Sequence, residues 1–275
     1  LWSVNSLARE VTRWTRACDK RLHRLMSYLH FTSHYCLSSH VGDHPQDCHL
    51  VLYADASFAG DLKDSKSTTG GLLVLVGPKT WCPIAWICKK QGSVSHSTTE
   101  AEVVALDTCL RTEALPALEL WNEIVDMFDP KVSPPVVPTS SLRVVSSIQQ
   151  ILSNVDYVPY GTPPIKQRVK LVILEDNDAV ITMCGKGRSP SMRHVNRTHR
   201  VNLDAVVERL VKDGSVLIKY INTKEQLADI LTKGTFSVDL WNSLIHLMQL
   251  QPSRHDPNAI QVHTTTVNDS FTQRD

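Results

Sequence analysis

An apolar run from Leu50 to Ala54 ends on Asp55, and a strand's period of two sends Leu50, Leu52 and Ala54 to one side and Val51, Tyr53 and Asp55 to the other. The spacing predicts a strand with apolar residues on both faces, and it sets a carboxylate among them. Gly71 to Val76 and Trp81 to Cys88 carry two more strand patterns, joined by short turns containing glycine or proline. Three strands linked so closely form an antiparallel meander. Ahead of them, Val11, Trp14, Cys18, Leu22, Leu25 and Leu29 recur at helical spacing opposite Arg9, Arg13, Arg16, Lys20, Arg21 and Arg24, which predicts one amphipathic helix. Behind them, Ser97-Thr98-Thr99-Glu100 has the form of a capping box. It opens a helix reaching toward Glu113, followed past Pro116 by a second apolar stretch that ends near Phe128.

The segment from Pro130 to Pro164 is rich in proline and poor in charge, and reads as an inserted loop with one helix candidate at Leu142 to Leu152. Val169 to Leu174 is apolar except for Lys170, the pattern of a strand covered on both faces, and runs into Glu175 and Asp176. Leu203, Val206, Val207, Leu210 and Val211 form a helical stripe that Asp213-Gly214 ends, and Val216 to Ile221 supplies a further strand. Thr223 to Gln226 has the form of a second capping box, ahead of a short helix holding Leu227, Asp229, Ile230 and Leu231. Trp241, Leu244, Ile245 and Met248 suggest one more helix, and a disordered polar tail is expected after Pro252. Helices between the later strands imply parallel crossovers. The predicted fold is therefore α/β, with a mixed five-stranded sheet of three antiparallel strands then two parallel strands, and helices on both faces.

Composition narrows the function classes. With 275 residues, 42% hydrophobic and 21% charged, the chain can bury a sizeable core. No apolar run approaches a membrane span, no signal peptide opens the chain, and the first residue is leucine, so a piece of a longer polyprotein is expected. Seven cysteines without a Cys-x-x-Cys pair suggest free thiols in a reducing compartment. Cys36, His40, His44 and Cys48 recur at every fourth position, but Gly42 and Pro45 interrupt any helix that would align them as zinc ligands. A solvated loop is the better reading of that segment. A net charge of +1 carries no whole-chain argument for nucleic acid, which must come from local clusters.

Two such clusters stand out. From Ala179 to Leu203 there is no acid, while Lys186, Arg188, Arg193, Arg197 and Arg200 stand with His194 and His199. The plain reading is a solvated loop and first helical turn; the functional one is a platform for phosphates. Lys89, Lys90 and Gln91, at the end of the meander, are a second candidate contact set.

The acids form a third pattern. Asp55 and Asp176 each close a predicted strand, and in a sheet with parallel central strands the carboxyl ends border the ligand crevice. Glu102 lies in the first turns of the helix after the meander, whereas Glu100 is taken up as the capping-box acid. Asp229 sits in an otherwise apolar short helix. Four converging carboxylates repel unless divalent cations neutralise them, and hard oxygen donors suit magnesium or manganese.

These blocks resemble the ribonuclease H domain of copia-type (Pseudoviridae-like) retrotransposon Pol polyproteins. Tyr53 to Gly71 is similar to the family's Asp-Ala-x-x-Ala-Gly followed by Lys-Ser-Thr-x-Gly. WICKKQ at Trp86 to Gln91, STTEAE at Ser97 to Glu102, EDNDA at Glu175 to Ala179 and QLADILTK at Gln226 to Lys233 follow in the family's order. The resemblance covers Leu50 to Lys233, and RLMSYLHFT at Arg24 to Thr32 resembles the end of the neighbouring reverse transcriptase. It implies a ribonuclease H-like fold over 50–235 with an insert loop at 130–165. Residues 1–49 then read as the end of the reverse transcriptase thumb or connection with a linker, and 236–275 as a short helix and disordered tail.

The resemblance also implies the chemistry. Asp55, Glu102, Asp176 and Asp229 would be the catalytic and metal-binding acids, with Asp178 and Glu175 as runners-up. They would hydrolyse the RNA strand of RNA-DNA hybrids with two Mg2+ ions, or Mn2+, about 3.5–4 Å apart. Lys89, Lys90, Gln91, Arg193, Arg197, His199 and Arg200 would meet the hybrid. The implied partners are that hybrid and the adjacent reverse transcriptase domain, with no membrane, and the implied setting is intracellular, in a cytoplasmic virus-like particle or the nucleus. Three departures stand out: the family's Arg-Thr-Lys-His block is represented loosely by Asn196 to His199, no histidine lies between Gly214 and Asp229 to speed turnover, and the proline-containing insert before the Asp176 strand is longer than the family usually shows. The alternative is a decayed or domesticated remnant that binds nucleic acid or protein without cutting. A transposase or integrase relative would place its acids in other motif contexts.

Overall fold

A computed structural model of the chain describes residues 1–60, 64–128, 168–186, 192, 194–199 and 201–253. The meander forms as β2 (His49–Ser57), β3 (Thr68–Gly77) and β4 (Thr80–Lys90), preceded by a short β1 (Tyr35–Leu37). Two later strands, β5 (Leu171–Glu175) and β6 (Val216–Tyr220), complete a sheet of order β4-β3-β2-β5-β6. The pairs β4/β3 and β3/β2 are antiparallel, and β2/β5 and β5/β6 are parallel. This is the mixed five-stranded sheet that the alternation and the spacing of the helical stripes predict.

Period-two alternation sorts the core into two layers. Leu50, Leu52 and Ala54 pack with Leu171 and Ile173 against Val103, Leu106 and Leu110 on one face. Val103 and Leu106 lie in α3 (Thr98–Cys109), and Leu110 opens the π-helical turn (Leu110–Ala114) through which α3 continues into α4 (Leu115–Phe128). The widened turn lies just before Pro116, whose missing N–H breaks the regular ladder. On the other face Val51, Tyr53, Leu72 and Val74 pack with Leu227, Leu231 and Leu244. Leu50, Leu52, Leu171 and Ile173 are fully buried, which for such side chains is favourable by about 1.5–3 kcal/mol each.

The remaining helices are α1 (Trp2–Ala8), α2 (Arg16–Phe31), α5 (Asp178–Lys186), α6 (Val195–His199), α7 (Leu203–Lys212), α8 (Asp229–Thr232) and α9 (Val238–Leu247). Several expectations are corrected. The stripe from Val11 is not one helix: Val11–Arg13 is a 3-10 turn, Thr15 is extended, and the α-helix starts at Arg16, leaving Val11 and Trp14 exposed. Thr223 to Gln226 is not a capping box. Thr223–Glu225 is a 3-10 turn capped by Asn222, whose side-chain oxygen accepts the Lys224 N–H, and Gln226 turns into the core.

The segment before the sheet is tied down. β1 pairs antiparallel with β7 (Leu250–Pro252), His40 and Trp81 exchange backbone hydrogen bonds, and Asp43 accepts the Lys79 N–H at 2.6 Å. Cys36 is exposed and Cys48 buried, and all seven cysteines are free. The proline-rich insert with its helix candidate, Arg188, and the tail after Ser253 lie outside the described residues. Among the described residues no helix is long and apolar enough to cross a membrane.

Candidate active site

Asp55 does not end its strand, because β2 runs on to Ser57 and Asp55 stands opposite Gly70 of β3. A Cβ at Gly70 would collide with the Thr232 methyl and the Ala228 carbonyl, so glycine there lets α8 lie directly on the sheet beside Asp55. Gly71 does the same on the opposite face, where a Cβ would collide with Cys109 of α3. Two consecutive glycines thus admit a helix to each face at the level of the acid.

The other acids arrive from both faces. The β2–β5 ladder ends at Tyr53 with Leu174, and continuing that parallel register carries Asp176 to Asp55. Glu102, from the first turns of α3, lies beside the Ala56 N–H. Asp229 begins α8, stands close enough to Asp55 for their charges to interact, and is paired with Lys233 at 2.6 Å. The Thr232 hydroxyl donates to Asp55 Oδ2. The position of α8 is fixed by Gln226, fully buried, whose amide donates to Ala54 O at 3.0 Å and Leu174 O at 3.4 Å, bridging the two central strands.

The structure therefore brings Asp55, Glu102, Asp176 and Asp229 into one electrostatic cluster, and adds Glu175 as a fifth member. Asp55, Glu102, Glu175 and Asp229 are buried and Asp176 is partly exposed. Burial, then the charges of Asp55, Glu175 and Asp176, push Glu102 up to about 10. Burial, then Asp176 and Asp55, push Glu175 up to about 8 despite the Asn177 N–H it accepts. Burial, then Asp55, push Asp229 up to about 7 against the pull of Lys233. Asp55 is also raised, chiefly by burial, with Thr232 and Lys233 opposing. Asp178 is exposed in the first turn of α5, an ordinary place for an aspartate.

Three oxygens in this cluster, Glu102 Oε2, Glu175 Oε2 and Asp229 Oδ1, are buried without a hydrogen-bond partner. An unpartnered buried carboxylate oxygen is costly, and the all-oxygen donor set has the chemistry that a hard divalent cation prefers. As the side chains stand, Thr232 engages Asp55 and Lys233 engages Asp229, and among the described residues no group of three or more His, Cys, Asp or Glu is set to hold a metal ion.

The expected nucleic-acid contacts divide. Lys89 and Arg197 are exposed, and Lys90 is paired with Asp64 at 2.7 Å. Gln91 is corrected: it is buried, donates to Thr69 Oγ1 at 3.2 Å and Ala101 O at 2.9 Å, and accepts from Ser95, so it fastens α3 to β4. The His199 side chain is likewise buried, 2.8 Å from Glu100. Arg193 and Arg200 lie outside the described residues. Glu100 itself is more than a cap. Ser97 Oγ accepts its N–H at 3.1 Å, but its carboxylate reaches the His96 N–H, His194 and His199. No local signal announces these contacts, since the partner histidines are 94 and 99 positions away.

Comparison with known proteins gives this arrangement a context. The chain is similar to retrovirus-related Pol polyproteins of transposons. It is 25% identical to that of transposon RE1 of Arabidopsis thaliana over 84% of its length, and 25% identical to that of transposon RE2 over 88%. The chain spans only 12% and 13% of those two polyproteins. A shorter stretch, 31% of the chain, is 40% identical to 55% of the secreted RxLR effector protein 161 of Plasmopara viticola. No family model matches the chain. A solved ribonuclease H isolated from compost by a metagenomic approach overlaps 67% of the chain and 92% of itself, at 12% identity and a TM-score of 0.33. That overlap is too loose to carry the fold, which rests on the strand order and directions.

Proposed function

We propose that the chain is the ribonuclease H part of a copia-type transposon Pol polyprotein, hydrolysing the RNA strand of RNA-DNA hybrids beside its reverse transcriptase. The single observation that carries this reading is the convergence of Asp55, Glu102, Asp176 and Asp229, from four separate elements, on one partly open carboxylate cluster. The similarity to transposon Pol polyproteins over most of the chain supports it. The reading places the protein inside the cell, where reverse transcription occurs.

Divalent magnesium, held by Asp55, Glu102, Asp176 and Asp229, would supply Lewis-acid stabilisation and a nucleophilic water. The chain's own residues do the rest. Burial and mutual repulsion hold these carboxyls protonated until positive charge arrives, so a cation that displaces their protons relieves the repulsion of the cluster. Lys233 counters the charge of Asp229, and Thr232 orients Asp55. Lys89 and Arg197 present exposed positive charge to phosphates, and a site that cuts RNA alone must read the 2′-hydroxyl.

A labelled RNA-DNA hybrid incubated with the chain and magnesium tests the reading. Cleavage of the RNA strand, abolished by chelation and absent with a DNA duplex, is the expected result. Hybrid binding without cleavage at any divalent concentration would favour a remnant that binds only.

A further inference from the structure

Two carboxylates leave α3 two residues apart, and only Glu102 reaches the acidic cluster. Glu100 is 1% exposed, and each of its oxygens has a partner from the basic segment: Oε1 meets His199 Nε2 at 2.8 Å, and Oε2 meets His194 Nε2 at 3.1 Å and the His96 N–H at 2.9 Å. A carboxylate only accepts hydrogen bonds, so both histidines donate through Nε2. The contact is reinforced on either side. Met192, Val195 and Val201 bury against Val104 of α3, and Ser93 donates to the Thr198 carbonyl at 2.8 Å. One cavity of about 190 Å³ is lined jointly by Lys89, Ser93, Arg111 and His199, so the end of α6 borders the end of the meander there.

We infer that Glu100 is a positioning residue for substrate: through His194 and His199 it locks α6, which carries the exposed Arg197, to the helix that carries Glu102, beside the cavity that Lys89 and His199 line. The inference rests on the nuclease reading above and adds to it a fixed link between the phosphate-binding surface and the acid cluster. A helix of only five residues has too few internal hydrogen bonds to hold its own orientation. Burying a carboxylate costs free energy unless it is fully hydrogen-bonded, and here the bonds that satisfy it are the ones that place α6. A plain capping role needs none of the histidine contacts.

Glu100→Ala removes the clamp from the α3 side, and a His194→Ala/His199→Ala double variant removes it from the other while leaving Ser97 and Glu100 to cap the helix. Both should raise KM for hybrid about tenfold with kcat changed by less than about threefold. Both should also speed amide hydrogen exchange across Val195 to His199 while exchange in β2 and β3 stays slow. Glu100→Gln, which keeps an acceptor for one histidine, should recover part of the KM. Unchanged KM and unchanged exchange in the double variant overturn the inference. So does an equal fall in kcat with KM constant, because the residue would then act on the acids rather than on binding. If the unaltered chain neither cuts nor binds hybrid, the nuclease reading fails and the substrate role with it, whereas exchange still decides whether the clamp exists.

Discussion

Asp55 and Gly70 face each other across the β2–β3 pair, and the absence of a side chain at Gly70 is what lets Thr232 reach Asp55. Gly70→Ala should therefore push α8 off the sheet. The expected cost is about 1–3 kcal/mol in urea unfolding, with hybrid cleavage falling further than stability does, because Asp229 moves with the helix. A variant as stable and as active as the original would show that α8 does not depend on this close approach.

Glu102 is the acid whose charge is hardest to keep. Burial and three neighbouring carboxylates hold it protonated up to about 10, and one of its oxygens lacks a partner. Glu102→Gln should leave stability unchanged or raise it, and should reduce magnesium-dependent cleavage by about 100-fold or more, the loss expected when several kcal/mol of metal-borne stabilisation disappear. Measuring both melting temperature and cleavage on one preparation separates this pattern from simple unfolding.

Stability should depend on pH in a definite direction once divalent cations are stripped away. Folded Asp229, Glu175 and Glu102 keep their protons up to about 7, about 8 and about 10, whereas unfolded carboxyls release theirs near 4. Between these limits the folded chain binds more protons than the unfolded chain. The stabilisation is full below about pH 4 and is lost as pH rises through the folded values. Urea midpoints measured with chelator should fall between about pH 5 and pH 9, and added magnesium should flatten that fall. A midpoint that rises over this range would contradict the burial of these acids.

Gln226 offers a test away from the charges. Its amide joins the Ala54 and Leu174 carbonyls from a fully buried position, so Gln226→Ala leaves two backbone acceptors short of a donor inside the core. A loss of about 1–3 kcal/mol is expected in chemical unfolding. Gln226→Glu should cost more, since it sets a carboxylate against two carbonyl oxygens.

The exposed cations predict a salt effect. Lys89→Ala combined with Arg197→Ala should weaken hybrid binding and flatten its dependence on salt by about one counterion per lost contact, without altering magnesium affinity. An unchanged slope across a salt series would mean these side chains face solvent only.

What the sequence made legible follows from range. Period two in β2 and the continuous apolar run of β5 specified two neighbouring strands, and their shared carboxyl-end direction put Asp55 and Asp176 near each other, because a strand is decided by adjacent residues. The helix phase after Ser97 separated Glu102 from Glu100 for the same reason. Gln226 was misread and Glu100 only half read, because each has a plausible local use as a cap while further partners stand far along the chain: Ala54 and Leu174 for one, His194 and His199 for the other. Glu175 was ranked behind Asp176, yet both join the cluster, since the ladder turns Glu175 inward and the loop after it leaves Asp176 partly open. The stripe from Val11 failed where Thr15 adopts an extended backbone, a break that periodicity alone does not reveal.

The pairing of β1 with β7 reaches beyond geometry. Tyr35 to Leu37 and Leu250 to Pro252 flank the sheet-forming region on both sides, and Tyr28 and Trp241 meet edge to face at 6.2 Å between the same flanks. Any severing of the chain between Leu37 and His49 would strip β7 of its neighbour and bare a strand edge together with the ring of Trp241. Bared edges recruit other chains. The smallest piece that stays dispersed in solution should therefore be wider than the stretch that carries the acids.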